Sequence, residues 1–252
     1  MLSGKIGFIP ASWTPKSVAG LAVWLDVSDY GSLTFSGSNV SQIKDLSGNG
    51  YHATQSSGTL QPAYQATGLN GKPCVSFNGS QTQKLTTGAT IANYINTPTS
   101  NPQFTLVSVW RTGVITDGYS VAWGSDLQAN GRVFFNQFFG GGSLIFDTVN
   151  ASAGRLVVTL TKSDYDNTSF VHTAYRNGAT MAVRNNGSVV AIKTNASGNF
   201  SSTTAKFNVG TADTSGCCAL FSEALIYAGA LSATDLSAAE KYLGSKWGIA
   251  VA

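Results

Sequence analysis

Short runs of apolar and β-branched residues, each bounded by Gly, Asn or Asp, follow one another along most of the chain. Runs of this kind are typical of strands. The clearest signal is an antiparallel meander with Asn-Gly at 177–178 and Asn-Asn-Gly at 185–187, because Asn-Gly accepts the positive φ of tight hairpin turns. The predicted strands span residues 21–26, 73–78, 104–111, 119–123, 132–139, 143–147, 155–161, 170–176, 179–184, 188–194, 206–210 and 219–227.

One segment near the end has the period of a helix instead. Ser232 can cap its first amides, Asp235 follows three residues later as in a capping box, and Gly248 comes after its last residue. Apolar residues recur at spacings of three and four from Leu236 to Trp247, so this helix should lie against a sheet, near a sandwich edge. Many short strands without alternating helices predict an all-β protein, a two-sheet antiparallel jelly-roll sandwich with one C-terminal α-helix.

The beginning of the chain lacks this regularity. Residues 1–20 contain Pro10 and Pro15 and no lasting periodicity, so they predict an extended N-terminal arm. The stretch from 27 to 50 is punctuated by glycines and reads as turns. The remaining residues, 21–252, then form one jelly-roll domain, since a β-sandwich can reach about 250 residues as one unit.

Four segments, in this order, resemble the concanavalin A-like lectin/glucanase superfamily, in particular its laminin G-like members in bacterial and tailed-phage proteins. They are Gly-Leu-Ala-Val-Trp-Leu-Asp at 20–26, Ile-Lys-Asp-Leu-Ser-Gly-Asn-Gly-Tyr-His-Ala at 43–53, Gly-Leu-Asn-Gly-Lys-Pro-Cys-Val-Ser-Phe-Asn-Gly at 68–79, and Phe-Ser-Glu-Ala-Leu-Ile-Tyr at 221–227 leading into the helix. The resemblance implies that the first strand lies beside the last and that the helix covers one end. Because this superfamily contains lectins, glucanases, adhesion modules and virion proteins, it does not by itself fix an activity.

Charge and composition exclude several classes of protein. Only 11% of the residues are charged, whereas 28 are Gly and 56 are Ser or Thr, so hydrogen bonding rather than ion pairing must solubilise the surface. The net charge of +3 is scattered, which argues against nucleic acid, and no run reaches the roughly 18–20 apolar residues of a membrane span. The first ten residues lack the apolar core of a secretory signal, which favours synthesis in a cytoplasm. Cys74, Cys217 and Cys218 are expected to be free, mostly buried thiols.

Catalytic patterns are weak. The chain has two glutamates, Glu223 and Glu240, and nothing matches the alternating acidic residues that the superfamily's glucanases carry on one strand. Asp164 and Asp166 alternate, but their surroundings predict a turn. The histidines, His52 and His172, occupy a loop and a predicted strand without a nucleophile motif. We therefore expect no enzymatic activity.

Two groups of residues are candidates for binding. Asp45, Ser47 and Asn49 could surround a hard cation such as Ca²⁺ if a distant acid joined them, and the alternative is a turn in which these side chains bind their own backbone. Sugars are bound by aromatic faces flanked by hydrogen-bonding groups. The candidate glycan-binding residues are Trp123, Tyr119, Asp126 and Asn136.

These features together favour a non-enzymatic virion structural protein of a tailed phage, either a capsid decoration protein or a tail or fibre component, assembled in the host cytoplasm. The arm would contact other virion proteins, the protein would be multi-copy or homo-oligomeric, and the lectin-like domain would face outward toward glycans. The alternative is a carbohydrate-binding or adhesion module of a bacterial protein, extracellular or on the cell surface.

Overall fold

The structure is a computed structural model. It describes residues 13–78, 83–97, 100–112, 120–121, 123–125, 133–139, 143–148, 154–159, 164–198, 204–210 and 219–252. Of these, residues 120–121, 123–125, 133–139, 143, 145, 147, 159 and 219 are described by their backbone alone.

The described strands form two antiparallel sheets that face each other, as predicted. Sheet 1 contains β1 (Leu21–Asp26), β5 (Ala63–Leu69), β6 (Lys72–Phe77), β8 (Gln103–Thr112), β14 (Ser169–Asn177), β15 (Thr180–Asn185), β16 (Ser188–Lys193) and β18 (Ala219–Tyr227). Sheet 2 contains β2 (Leu33–Ser36), β3 (Asn39–Ile43), β4 (Ala53–Thr54), β7 (Lys84–Thr90), β9 (Ser120–Val121), β10 (Trp123–Ser125), β11 (Val133–Phe139), β12 (Ser143–Thr148), β13 (Arg155–Thr159) and β17 (Lys206–Gly210). The helices are α1 (Ile91–Tyr94) and α2 (Ala233–Trp247).

The order of the strands follows from their pairing. Sheet 1 runs β1, β18, β8, β14, β15, β16, with β6 beside the first residues of β18 and β5 beyond β6. The first strand therefore pairs with the last, as the family resemblance implies. Sheet 2 runs β2, β3, β4, β7, β17, β10, β11, β12, β13. One backbone pairing between Asn39 and Ala63 joins the sheets along an edge.

The core lies between the sheets and is built from the inward residues of both. Leu106 and Trp110 of sheet 1 belong to the same buried cluster as Leu85 and Phe207 of sheet 2. This burial of alternating apolar residues is the main stabilising contribution of a sandwich.

The predicted meander is confirmed, with one shift in its first turn. In the β14–β15 hairpin the two loop residues are Gly178 and Ala179, and only Gly178 has a positive φ, of 60°. The β15–β16 turn uses Asn186 and Gly187, both with positive φ, which is the type I′ geometry expected of Asn-Gly.

The C-terminal helix is also confirmed, but its position differs from the one implied by the resemblance. The Ser232 side chain accepts a hydrogen bond from the Asp235 amide, and Gly248 ends the helix with a φ of 68°. Its apolar side packs on Val107, Val171 and other outward residues of sheet 1. The helix therefore lies over the central strands of a sheet face rather than at an end of the sandwich.

Several strands were not expected from the sequence. β2, β3 and β4 occupy a region predicted to consist largely of turns, and β5 and β7 fall between predicted strands. Their residues are mostly Ser, Thr, Gln and Ala, so they lack the dense apolar alternation that marks the other strands.

The structure describes the predicted N-terminal arm from Trp13 onward, and there the chain packs on the domain instead of extending away. Pro15–Ser17 form a short 3-10 turn, the Pro15 carbonyl accepts a hydrogen bond from the Tyr227 hydroxyl at 3.1 Å, and the Trp13 ring lies 5.3 Å from that of Tyr242. Residues 1–12 lie outside the described residues.

Among the described residues, neither helix has the length and the apolar sequence that a membrane span requires.

Gly244 on α2 offers a test of how the last residues pack. A Cβ at this position would lie 2.4 Å from Cγ2 of Val251 and 2.7 Å from the Ile249 carbonyl oxygen. We expect Gly244→Ala to destabilise the protein by about 1–3 kcal/mol through this overlap, although Ala is ordinarily the better helix former. Urea denaturation measures the change. The exposed neighbour Ser245→Ala is the control and should be neutral or slightly stabilising, and a Gly244→Ala protein as stable as wild type would contradict the described packing.

Candidate functional site

A row of polar residues crosses the outer face of sheet 2. Thr34 pairs with Gln42, Gln42 with Thr54, Thr54 with Thr86, and Thr86 with Asn208, so one residue from each of five neighbouring strands lies in line. Directly paired residues project on the same side of a sheet. On β2, β3, β4 and β7, one sequence neighbour of each ladder residue belongs to the core or packs against it: Phe35, Ile43, Ala53 and Leu85. We call this row the polar ladder.

An open groove of about 460 Å³ lies over the polar ladder from Thr34 to Thr86. It is lined by Thr34, Ser41, Gln42, Thr54, Gln55, Ser56 and Thr86. All seven side chains are uncharged, and all end in hydroxyl or amide groups. Hydroxyls and amides both donate and accept hydrogen bonds, so this surface suits a neutral ligand rich in such groups.

Part of the groove is held in place by hydrogen bonds within the protein. The Thr86 hydroxyl donates to Oδ1 of Asn208 at 2.6 Å, and the Ser41 hydroxyl donates to the Thr34 carbonyl at 3.1 Å. Nε2 of Gln55 donates to the Lys84 carbonyl at 3.1 Å, while its Oε1 accepts from the Ser57 amide at 3.0 Å. These three lining side chains therefore have fixed orientations before any ligand arrives.

The other lining side chains keep their hydrogen-bonding capacity. Within the described part of the chain, Thr34, Gln42, Thr54 and Ser56 form no side-chain hydrogen bonds. A ligand would replace water on these groups without breaking protein contacts, so the groove combines fixed walls with free donors and acceptors.

The four glycan-binding residues expected from the sequence are not among those that line this groove. Tyr119 and Asp126 lie outside the described residues. The backbones of Trp123 on β10 and Asn136 on β11 belong to sheet 2, on strands that follow β17 in the sheet. Those residues stay predictions. The groove residues were missed because short Thr- and Gln-containing strands carry no aromatic signal.

The structure brings Asp45, Ser47 and Asn49 together, and hydrogen bonds account for their polar atoms. Oδ1 of Asp45 accepts from the Trp24 and Ser47 amides, both at 2.9 Å, and Oδ2 accepts from the Ser47 hydroxyl at 2.7 Å and the Tyr51 amide at 3.0 Å. These donors occupy the lone pairs that a Ca²⁺ ion would need. Nδ2 of Asn49 donates to β1 carbonyls. This geometry favours the turn interpretation over the cation site, and in the described residues no group of three or more His, Cys, Asp or Glu could hold a metal ion.

Both glutamates of the chain are buried. Glu223 lies beneath α2, and Glu240 is part of α2 itself. Glu223 on β18 lies directly opposite Asp26 on β1, and two carboxylates in this position repel each other. Nζ of Lys246 on α2 lies 2.5 Å from Oδ2 of Asp26 and 2.6 Å from Oε2 of Glu223. The indole nitrogens of Trp24 and Trp247 also donate to Glu223, at 2.9 and 2.8 Å. We call these five residues the acid–lysine cluster.

The second glutamate, Glu240, is also held by hydrogen bonds within the protein. Glu240 on α2 accepts from Nε of Arg184 at 2.7 Å, from Nη2 of Arg184 at 2.9 Å and from the Thr173 hydroxyl at 2.9 Å. It is only 1% exposed. The bidentate geometry fixes α2 on β14 and β15.

Electrostatics within the acid–lysine cluster follow from its burial. Burial raises the pKa of Glu223 to about 7, the charge of Asp26 contributes in the same direction, and Lys246 and Trp247 oppose the shift. Burial lowers the pKa of Lys246, but the charges of Glu223 and Asp26 outweigh it and raise the pKa above its ordinary value. The exposed fraction of the Glu223 side chain is 0%.

The other titratable candidates also occupy structural positions. Asp164 and Asp166 lie in the predicted turn, and His172 is buried in sheet 1 with Nδ1 2.8 Å from Oδ1 of Asn185. Nδ1 of His52 accepts from the Asp45 amide at 3.1 Å. Cys74 is free and buried, as expected, and burial raises the pKa of its thiol to about 11. Cys217 and Cys218 lie outside the described residues.

No protein-family model matches the chain, and no curated protein matches it. Solved structures do match. The binding domain of Paraclostridial Mosquitocidal Protein 1 aligns with a TM-score of 0.64 and 16% identity over 94% of this chain and 56% of that chain. The binding domain of botulinum neurotoxin serotype G aligns with a TM-score of 0.64 and 14% identity over 91% of this chain and 54% of that chain. Trypanosoma rangeli sialidase, in complex with the inhibitor DANA, aligns with a TM-score of 0.60 and 14% identity over 88% and 33%.

The chain has an antiparallel β-sandwich fold that these structures share. It spans about a third of the sialidase and about half of each toxin domain, and at these identities the likeness establishes the fold alone. The predicted β-sandwich is thereby confirmed. Membership of the laminin G-like type found in tailed phages stays a prediction.

The acid–lysine cluster predicts how stability changes with pH. Glu223 has a pKa of about 7 in the folded protein and an ordinary value of 4.5, so folding takes up a proton between these two pH values. The stability that this proton uptake by Glu223 contributes is therefore fully present below pH 4.5, and it is lost as the pH rises through 7. Relative to Glu223→Gln, wild-type protein should lose up to about 3 kcal/mol between about pH 5 and pH 8. Urea denaturation across this range measures the difference, and parallel profiles for the two proteins would refute it.

Proposed function

We propose that this chain is a non-catalytic domain that binds neutral carbohydrate in the groove on sheet 2. The observation that carries the proposal is the lining itself, which consists of seven uncharged hydroxyl and amide side chains. A sugar presents many hydroxyls that both donate and accept, and this lining offers the matching groups.

Other ligand classes fit the lining less well. A phosphate or carboxylate ligand calls for Arg, Lys or a helix N-terminus, and none of these lines the groove. An extended peptide that adds a strand binds along a sheet edge, whereas the polar ladder crosses a sheet face. Apolar ligands need apolar walls.

The proposal that the domain is not an enzyme rests on the positions of the acids. Most glycoside hydrolases need two carboxylates on either side of the scissile bond. Glu223 and Asp26 are close together, but Lys246 occupies the space between their oxygens and α2 covers them. Glu240 is bound to Arg184.

The likeness to known structures supports a recognition role. Two of the similar structures are named as binding domains, and the sialidase has been solved in complex with sialic acid. Lectin-like sandwiches can therefore serve recognition, and in this chain the groove is the surface we assign to it.

Replacement of one groove hydroxyl tests this assignment. Thr54→Val keeps the side-chain shape and removes a free hydroxyl at the centre of the polar ladder. We expect the affinity for a neutral oligosaccharide to fall about two- to tenfold, the value of one net hydrogen bond. Isothermal titration calorimetry with neutral ligands that score on a glycan array measures the change.

The matched control is Thr67→Val on β5, an exposed threonine of sheet 1 outside the groove. This variant should bind like wild type. Equal affinity of the Thr54→Val protein, or selective binding of acidic glycans alone, would contradict the assignment.

We also propose, as the setting for this domain, a multi-copy structural component of a tailed-phage virion, anchored through its N-terminal residues to other virion proteins. A sparsely charged sandwich with many hydrogen-bonded turns suits a protein that must persist outside a cell. The alternative setting is a carbohydrate-binding or adhesion module of a bacterial protein.

Removal of residues 1–12 separates anchoring from folding, because Trp13 and the Pro15 turn belong to the folded domain. If the first residues anchor the protein, the truncated chain should melt at the wild-type temperature but be lost from assembled particles. Quantitative mass spectrometry of purified virions measures its copy number. Incorporation at full wild-type occupancy would disprove the anchoring role.

A further inference from the structure

Tyr30 is an exposed aromatic residue at the edge of sheet 2. Its side chain is 63% exposed, and it is the one aromatic residue among the exposed large apolar side chains of the described residues. A tyrosine ring offers an apolar face and a hydroxyl to any ligand that covers it.

Two further rings support Tyr30 from below. The Tyr30 ring centroid lies 5.2 Å from that of Phe35 and 5.9 Å from that of Tyr64, and Phe35 and Tyr64 meet edge to face at 5.5 Å. Phe35 and Tyr64 pack against the core. The exposed ring therefore rests on a rigid base, which reduces the conformational entropy that binding would cost. We call these three residues the aromatic platform.

The turn that carries Tyr30 is also fixed. Oδ1 of Asp29 accepts a hydrogen bond from the Gly31 amide at 3.1 Å, and the Ser32 hydroxyl donates to the Asp26 carbonyl at 3.0 Å. Ser32 is buried. Tyr30 is thus presented by a short, anchored 3-10 turn and not by a long loop.

The aromatic platform and the groove share strand β2. Thr34 points outward into the groove, and its neighbour Phe35 points inward beneath Tyr30. Among the described pairings, β2 pairs with β3 alone, so the polar ladder ends at the side of the sandwich where the platform lies. Thr34 is thus the last ladder residue before this edge, and the platform lies across β2 from the groove.

We propose that the aromatic platform is a second subsite, on which one sugar ring of an oligosaccharide stacks while the preceding sugars lie in the groove. The hydroxyls of the ligand meet the polar ladder, and the apolar C–H face of its last ring covers Tyr30. The ligand is accordingly an oligosaccharide rather than a single sugar. This inference rests on the proposed carbohydrate function of the groove.

The test combines ligand length with replacement of the ring. Oligosaccharides of one to six sugars are titrated by calorimetry into wild type, Tyr30→Ala and Tyr30→Phe. The cello- or malto-oligosaccharide series is used, whichever the wild-type protein binds. Tyr30→Ala should weaken the binding of the longest ligands about five- to tenfold and leave the shortest unchanged, because only a long ligand reaches the ring. Tyr30→Phe keeps the stacking face and should bind every length like wild type.

Each other result has a distinct meaning. Unchanged binding of long ligands by Tyr30→Ala overturns the second subsite and leaves the groove as the whole site. An equal loss at every length also overturns it, because the ring would then belong to the primary site. If Tyr30→Phe weakens the binding of long ligands as much as Tyr30→Ala does, the contact depends on the Tyr30 hydroxyl and the stacking proposal is overturned. If wild-type protein binds neither series and no other neutral glycan, the proposed function itself fails, and the subsite with it.

Discussion

The buried ion pairs beneath α2 are the constraint on which the rest of this structure depends. Asp26 and Glu223 lie opposite each other on the first and last strands, and whenever Glu223 is ionised these strands would carry two buried like charges without a cation between them. Lys246 supplies that cation from α2. The helix therefore has to remain on sheet 1, and its apolar side covers the central strands of that face.

This arrangement separates structural chemistry from recognition chemistry. The two glutamates, which are candidate groups for hydrolysis, hold a helix to a sheet. The open groove on the opposite sheet is lined by neutral groups alone. A protein built in this way offers hydrogen bonds to a ligand, while both of its glutamates are buried in contacts that hold the helix to the sheet. Because only 11% of the residues are charged, the surface as a whole also offers hydrogen bonds more than charges.

Sequence patterns predicted every strand of sheet 1 except β5, because those strands are rich in apolar residues and the Asn-Gly turns set the meander. They did not predict β2, β3 and β4, whose outward residues are Thr and Gln and whose inward residues are few. The polar ladder depends on cross-strand register between segments far apart in the chain, which no local pattern encodes. Trp123 is a glycan-binding candidate in the sequence because it is an aromatic residue flanked by polar ones. Tyr30 has the same chemistry, but its place in the proposed subsite depends on two rings that only folding brings next to it.

We propose that a neutral oligosaccharide binds on the outer face of sheet 2 at the polar ladder. Amide chemical-shift mapping of the isotope-labelled protein during titration with such a ligand locates its binding surface. Binding in the groove should concentrate the shifts at Thr34, Gln42, Thr54 and Thr86 and leave the residues of α2 unchanged. Shifts confined to α2, or to the region of Trp123 and Asn136, would contradict it.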